Sequence, residues 1–210
     1  LGYLLGESEE IVHVAVFCPI RSEYFHYKHE ACTVEDKLEK SYADTLNMLS
    51  RRNIPYHILD ETILERHGSL EKSLLKVGNC TYDTIIFPRT ETMSKYIYGL
   101  FKQFYGYGGK MLFVDVMPEY LEGEPYECSL KSNITIVEIQ KAQEYTIDQI
   151  DTEVFSTLHK DADGRYFLYV VNVSKDRSFM VTFQGDFKSF QGFDIETESY
   201  YMQSPTMTLR

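Results

Sequence analysis

The first apolar pattern in the chain is an unbroken run over residues 11–19 that is closed by Pro19. Such runs are typical of strands that are buried on both faces, as in a parallel sheet. A polar and aromatic stretch over residues 21–32 predicts a loop. After it, apolar residues recur every three to four positions and predict a helix with one apolar face, at Leu38, Tyr42, Leu46 and Leu49.

The alternation of strand and helix then repeats. Further strands are predicted at 54–59, 84–88 and 110–116, and helices at 60–67 and 93–105. Strands and helices that alternate with short connections indicate a parallel sheet with helices on both faces. The predicted fold is therefore α/β, with a doubly wound, mostly parallel sheet.

The helical period disappears after about residue 150. Short strand candidates follow at 154–159, 166–173, 179–183 and 190–195, and Asp163-Gly164 is a hairpin signal between the first two. These strands predict a small antiparallel module that resembles a β-sandwich. A fifth strand of the first domain is predicted at 134–139.

We therefore predict two domains, an α/β domain over residues 1–148 and an antiparallel β module over residues 149–210. Both ends of the sequence are expected to be cut from a longer polypeptide, with the β module truncated at its carboxyl terminus.

The formal net charge of −11 narrows the range of partners. An acidic surface repels phosphate backbones, so no nucleic-acid partner is expected. No stretch approaches the roughly 18–20 apolar residues that span a bilayer, so no membrane association is expected. The four cysteines and the three N-x-S/T sites do not decide the compartment, and the cytoplasm is slightly favoured over secretion.

Ligands of doubly wound folds bind beyond the carboxyl ends of the strands, here in the loops 19–32, 88–92 and 115–127. Hydrolases and amidotransferases of this architecture carry their nucleophile on a sharp turn that is flanked by small residues. Residues 113–119 contain no Ser, Cys or Gly, which excludes such an enzyme. The glycine-rich phosphate-binding patterns of dinucleotide and nucleotide sites do not occur either, so no cofactor is expected.

Four residues in these loops are weak candidates for ligand binding: Tyr24, His26, Asp115 and Glu119. Aromatic side chains can stack on sugars, but packing on the core or on another domain is the favoured interpretation of Tyr24, Phe25, Tyr105 and Tyr107. Glycoside hydrolysis needs two carboxyl groups across the bond, and the third loop supplies several. Because the chain is acidic throughout, no catalytic residue is predicted.

The spacing His26-x-x-His29-x-x-Cys32 is that of possible metal ligands. A structural zinc site usually needs four ligands, and the sequence shows no fourth. No metal site is therefore predicted.

Four segments of the first domain occur in an order that resembles a known family: residues 12–19, 54–61, 82–88 and 108–113. They resemble the class I glutamine amidotransferase-like domain of large bacterial glycoside hydrolases. These enzymes include α-L-rhamnosidase-like proteins and, more distantly, β-galactosidases in which a related domain mediates trimerisation. Residues 158–174 and 194–198 are similar to the β module that follows this domain.

The resemblance implies a flavodoxin- or amidotransferase-like sheet that has lost its nucleophile, while the catalytic carboxylates lie in a separate barrel domain. The sequence-based hypothesis is a non-catalytic accessory region of a glycoside hydrolase that supports interdomain packing or oligomerisation. Its expected partners are the other domains of the parent glycosidase, with homo-oligomers possible. The alternative is a carbohydrate-binding module that uses the interdomain cleft or the β module, and a metal- or flavin-dependent enzyme is more distant.

Overall fold

The structure is a computed structural model of the 210-residue chain. It describes Gly2 and residues 6–26, 35–147, 153–185, 189–194 and 198–209. Contacts divide the chain into two compact units. The α/β unit comprises Val12–Leu49 and Pro55–Ile139, and the β unit comprises Leu1–Ile11, Ser50–Ile54 and Gln140–Arg210.

The helices are α1 Ile20–His26, α2 Glu35–Arg51, α3 Glu61–His67, α4 Lys95–Gly106 and α5 Ile136–Lys141. The strands up to residue 125 are β1 Ser8–Glu10, β2 Val14–Cys18, β3 Tyr56–Asp60, β4 Gly68–Glu71, β5 Leu74–Val77, β6 Cys80–Tyr82, β7 Thr84–Phe87, β8 Thr92–Met93, β9 Lys110–Phe113, β10 Tyr120–Leu121 and β11 Glu124–Pro125. The remaining strands are β12 Tyr145–Ile147, β13 Val154–Asp161, β14 Tyr166–Asn172, β15 Phe179–Gly185, β16 Phe190–Asp194, β17 Ser199–Gln203 and β18 Thr206–Leu209. Within the described ranges, no helix is both long and apolar enough to cross a membrane.

A four-stranded parallel sheet forms the centre of the α/β unit, with the strand order β3-β2-β7-β9. Every residue of β7 is buried, as the continuous apolar run predicts for a strand that is covered on both faces. The rings of Phe17 and Phe87 pack edge-on against Phe101 of α4, with centroids 5.5 and 4.9 Å away. This aromatic cluster anchors α4 to the sheet.

Side chains at the helix ends explain two boundaries that the sequence predicted. The Asp60 carboxylate accepts hydrogen bonds from the backbone N–H groups of Thr62 and Ile63, at 2.8 and 3.1 Å, and so begins α3. The Ser94 hydroxyl accepts a 3.2 Å bond from the N–H of Ile97 and begins α4 in the same way. The predictions of both helices are confirmed.

Three parts of the α/β unit differ from the sequence-based prediction. Residues 20–26, predicted as part of a loop, form α1, because Pro19 ends the strand and its carbonyl accepts bonds from the next turn. The fourth parallel strand ends at Phe113 rather than at residue 116. Residues 68–82, which carried no prediction, form the antiparallel sheet β4-β5-β6.

The predicted strand at 134–139 is wrong, because this segment contains α5. Thr135 and Glu138 form a reciprocal capping box, in which each side chain accepts a hydrogen bond from the other residue's backbone N–H. This local pairing begins a helix and overrides the β propensity of the isoleucines.

The β unit contains two three-stranded antiparallel sheets, β1-β13-β14 and β12-β15-β18, and the ribbon β16-β17. Both sheets contribute to one core, made of Tyr145, Ile147, Val154, Leu158, Phe179, Val181 and Phe183. The predicted hairpin at Asp163-Gly164 is confirmed: Gly164 has a φ of +80°, and its N–H donates to the carbonyl of Asp161 at 3.0 Å.

The two units that the contacts define do not meet at a single boundary at residue 148. Strand β1 pairs with β13, and β12 pairs with β15, so both belong to the β unit although they precede that residue. The division into two functional domains at residue 148 stays a prediction.

Candidate functional site

The carboxyl ends of the four parallel strands lie along one edge of the sheet, which we call the carboxyl edge. The strands end at Cys18, Asp60, Phe87 and Phe113, and the segments after them supply the side chains there. Ligands of open α/β sheets bind beyond this edge, so it is the first place to expect chemistry.

Glu61, the first residue of α3, is a buried carboxyl group at this edge, with 2% of its side chain exposed. Its Oε2 lies 2.8 Å from Nε of Arg21, and its Oε1 accepts a 3.4 Å hydrogen bond from the Arg21 backbone N–H. The Oε2 contact with Arg21 is an ion pair by distance, and its geometry does not meet the criteria of a hydrogen bond. Burial raises the pKa of Glu61 to about 7, although Arg21 opposes this rise. The carboxyl group therefore titrates near neutral pH.

Arg21 also connects Glu61 to a second carboxylate. Its Nη2 lies 2.9 Å from Oε1 of Glu65, and the Ser94 hydroxyl donates a 2.8 Å hydrogen bond to the same oxygen. We call these four residues the Arg21 network. It ties together α1, α3 and the start of α4.

Arg89, two residues after the end of β7, is the centre of a second network. Its Nε lies 2.7 Å from Oε1 of Glu91, and its Nη1 lies 3.5 Å from Oδ2 of Asp115. The Arg89 backbone N–H donates a 2.9 Å bond to the Ser41 hydroxyl of α2. The hydrogen bond that the Arg89 guanidinium donates to Glu91 raises the pKa of the guanidinium, and the charges of Glu91 and Asp115 add to this rise. These contacts neutralise the acidic groups around it.

Ser22 of α1 is fully buried and fixes that helix to the segment that contains β8. Its hydroxyl accepts bonds from the backbone N–H groups of Glu91 and Thr92, at 3.0 and 3.1 Å, and donates to the Thr92 carbonyl at 3.2 Å. One hydroxyl therefore satisfies three backbone groups that burial would otherwise leave unpaired.

The structure separates the four predicted ligand-binding residues into two places. Asp115 belongs to the Arg89 network, and the Glu119 backbone N–H donates a 3.1 Å bond to the carbonyl of Glu91, so these two residues lie around the same segment. Tyr24 is 70% exposed on α1, and His26 is the last residue of that helix. No described contact joins Tyr24 to Asp115 or Glu119. A ligand role for the four residues stays a prediction.

The possible metal ligands His29 and Cys32 lie outside the described residues. In the part of the chain that the structure describes, no group of three or more His, Cys, Asp or Glu side chains is arranged to hold a metal ion.

A cavity of about 370 Å³ lies beyond the end of β2, between α1 and α2, and is lined by Cys18, Pro19, Ile20, Glu23, Glu39 and Tyr42. Burial raises the pKa of the Cys18 thiol, although a hydrogen bond with Tyr42 opposes the rise. The thiolate is the nucleophilic form of cysteine. The Cys18 thiol therefore stays protonated at neutral pH and lacks the character of a reactive cysteine.

Three residues of the Arg21 network were not predicted from the sequence as site residues: Arg21, Glu61 and Glu65. The predicted ligand-binding loops follow three of the parallel strands and leave out the segment after β3. Glu61 follows the end of that strand directly, at Asp60. An acidic residue at the first helical position directly after a predicted parallel strand was the available signal.

Charged side chains connect several elements at the carboxyl edge. Glu61 is 2% exposed and contacts Arg21 there. Arg21 and Arg89 pair with the carboxylates around them. Among the described residues, the Arg21 pairs link α1 to α3, and the Arg89–Asp115 pair links the loop after β7 to the loop after β9.

No protein-family model matches this chain, and no curated protein matches it. Among solved structures, the chain is similar to the apo exo-carrageenase GH42 from Bacteroides ovatus, with a TM-score of 0.58 at 14% sequence identity. The match covers 94% of this chain and 27% of that one, so the chain spans about a quarter of its neighbour's length. At this identity, the likeness shows a shared fold. It confirms the α/β and antiparallel β architecture at a coarse level.

Proposed function

We propose that this chain is a non-catalytic accessory region of a multidomain glycoside hydrolase, where it supports interdomain packing or oligomerisation. The observation that carries the proposal is that nearly the whole chain shares the fold of a 27% part of a GH42 exo-carrageenase. A piece of this size leaves most of such an enzyme to other domains, which could hold the catalytic carboxylates.

The charges at the carboxyl edge support the non-catalytic part of the proposal. Glycosidases need one protonated and one ionised carboxyl group on either side of the bond. Glu61 and Glu65 are two neighbouring carboxyl groups at this edge, but Glu61 is 2% exposed and both residues contact the same arginine, Arg21. A doubly wound, amidotransferase-like sheet without a nucleophile is the finer form of this proposal.

The test is turnover of aryl glycosides by the purified 210-residue chain, with galactosides and rhamnosides included in the panel. We expect no release of nitrophenol above that of buffer. Turnover that is lost in both Glu65→Gln and Asp115→Asn would contradict the non-catalytic role. Light scattering over a range of concentrations separates the two supporting roles, because oligomerisation requires a mass above the 24.6 kDa of one chain.

A further inference from the structure

A groove lies on the α/β unit, beside α4 and the start of β4. It has a volume of about 530 Å³ and runs between the outer face of α4 and the start of β4. Residues of α4 that are spaced by three or four positions lie on one helix face. The groove is lined by Gly68, Ser69, Leu70, Lys95, Tyr96, Gly99, Leu100, Gln103 and Tyr107.

Two exposed tyrosines mark the ends of this groove. Tyr96 is 53% exposed in the first turn of α4, and Tyr107 is 60% exposed directly after its last residue. The eleven residue steps from Tyr96 to Tyr107 correspond to about 16 Å along a helix axis. Neither hydroxyl makes a hydrogen bond to another described residue. The two rings therefore present apolar surface at both ends of a groove that is long enough for several linked rings.

Gly99 forms the floor between the two tyrosines. A glycine inside a helix is destabilising relative to alanine, because it loses more conformational freedom on folding. Nothing in the fold requires glycine here: its φ is not positive, and a Cβ at this position would meet no atom within 4 Å. The absent side chain keeps the groove open instead of relieving a clash.

The polar groups of the groove are mostly neutral. Ser69 and Gln103 are exposed and present a hydroxyl and an amide. The lining contains no Asp or Glu, although the chain has a net charge of −11. Its one charged residue, Lys95, lies 3.4 Å from Glu122. Neutral donors and acceptors between two aromatic rings match a ligand that is rich in hydroxyl groups and has apolar faces.

We infer that this groove is a binding site for a linear oligosaccharide, with pyranose rings stacked on Tyr96 and Tyr107 and a middle unit seated over Gly99. The choice of a saccharide rests on the proposed function, since a region of a glycoside hydrolase lies next to such chains. Aromatic rings supply large contact areas at low entropic cost, while the amide and hydroxyl groups orient the ligand.

The test is titration of the 210-residue chain, monitored by NMR chemical shifts, with three probes: cellohexaose, mannohexaose and a carrageenan hexasaccharide. We expect at least one probe to bind and to shift the resonances of α4. Tyr96→Ala and Tyr107→Ala should each weaken binding by about tenfold or more, since each removes one stacking surface.

Gly99 supplies a matched pair of variants. Gly99→Gln should abolish binding, because its Cβ meets no atom within 4 Å and the longer side chain extends into the floor of the groove. Gly99→Ala should retain most of the binding and should unfold at a higher temperature than the wild type. Lys102→Ala truncates an exposed side chain of α4 that does not line the groove, and this variant should bind as the wild type does.

Two results would overturn the inference: no binding of any probe at millimolar concentration, or binding that Gly99→Gln and the α4 tyrosine variants leave unchanged. Either result is distinguishable from failure of the proposed function. That failure would appear as cleavage of a glycosidic bond, whether or not the groove binds sugar.

Discussion

The buried carboxyl group of Glu61 predicts an unusual dependence of stability on pH. Its pKa in the folded chain is about 7, against an ordinary value of 4.5. Between these two values, the folded chain holds a proton that the unfolded chain has released. The contribution of Glu61 to the free energy of unfolding is therefore most favourable below about pH 4.5, falls as the pH rises to about 7, and then levels off.

The magnitude follows from the difference between the two pKa values. At about 1.4 kcal/mol for each tenfold change in proton affinity, Glu61 lowers the free energy of unfolding by about 3 kcal/mol across this range. The Arg21 ion pair is already included in the folded pKa, because its charge opposes the effect of burial. Desolvation of the carboxylate is thus larger than its attraction to Arg21.

The experiment is urea unfolding of the wild type and of Glu61→Gln from pH 4 to pH 8.5, followed by circular dichroism at constant ionic strength. Glutamine has the shape of the protonated acid but cannot ionise. The two proteins should be about equally stable near pH 4, and the variant should be more stable by up to about 3 kcal/mol above pH 7. Other titrating groups cancel in the difference between the two proteins.

Glu65→Gln is the matched control, because Glu65 contacts the same arginine and its side chain is 30% exposed. This variant should keep most of the pH dependence of the wild type, because burial raises the pKa of Glu61 more than the charge of Glu65 does. The difference in the free energy of unfolding between wild type and Glu61→Gln could instead stay constant with pH or favour the wild type at high pH. Either result would contradict the raised pKa of Glu61.

Three further predictions concern packing and reactivity. Ser22→Ala should lower the free energy of unfolding by about 1–3 kcal/mol, because two buried N–H groups lose their acceptor; a loss below about 0.5 kcal/mol in urea unfolding would contradict this. Gly109→Ala should lower the free energy of unfolding by about 1–3 kcal/mol, since its Cβ would lie 2.5 Å from ring carbons of Phe104. Gly106→Ala, whose Cβ meets no atom within 4 Å, should be neutral or stabilising, and thermal melts of both variants measure the difference. Equal costs for the two glycines would be inconsistent with this packing. Iodoacetamide at pH 8 should modify exposed Cys80 before Cys18, whose pKa is raised by burial; peptide mapping that found Cys18 modified first would contradict its protonated state.

The sequence predicts the elements whose signals are local. The buried strand β7 is a short apolar run, and α3 and α4 begin at Asp60 and Ser94, whose side chains cap them. These features depend on neighbouring residues, so a reader of the sequence can find them. The capping box of Thr135 and Glu138 is equally local. It is a stronger signal than the β propensity of the isoleucines, and it predicts α5.

The features that the sequence does not predict depend on distant pairing. Arg21 meets Glu61 across forty residues, and β1 joins β13 across most of the chain. No periodicity in the sequence identifies such partners. Arg21 and Glu61 have the pattern of ordinary surface charges, and β1 has that of an edge strand. The open groove is likewise formed by a helix and a hairpin that only the folded chain brings together.

The central claim is that the carboxylates of this chain serve its fold and not the cleavage of a sugar. The most direct test is to incubate the chain with end-labelled carrageenan and galactan oligosaccharides at pH 5 and pH 7, and to separate the products by chromatography. We expect the oligosaccharides to stay intact with the wild type and with both variants, Glu65→Gln and Asp115→Asn. Shortened products from the wild type that disappear in either variant would contradict it.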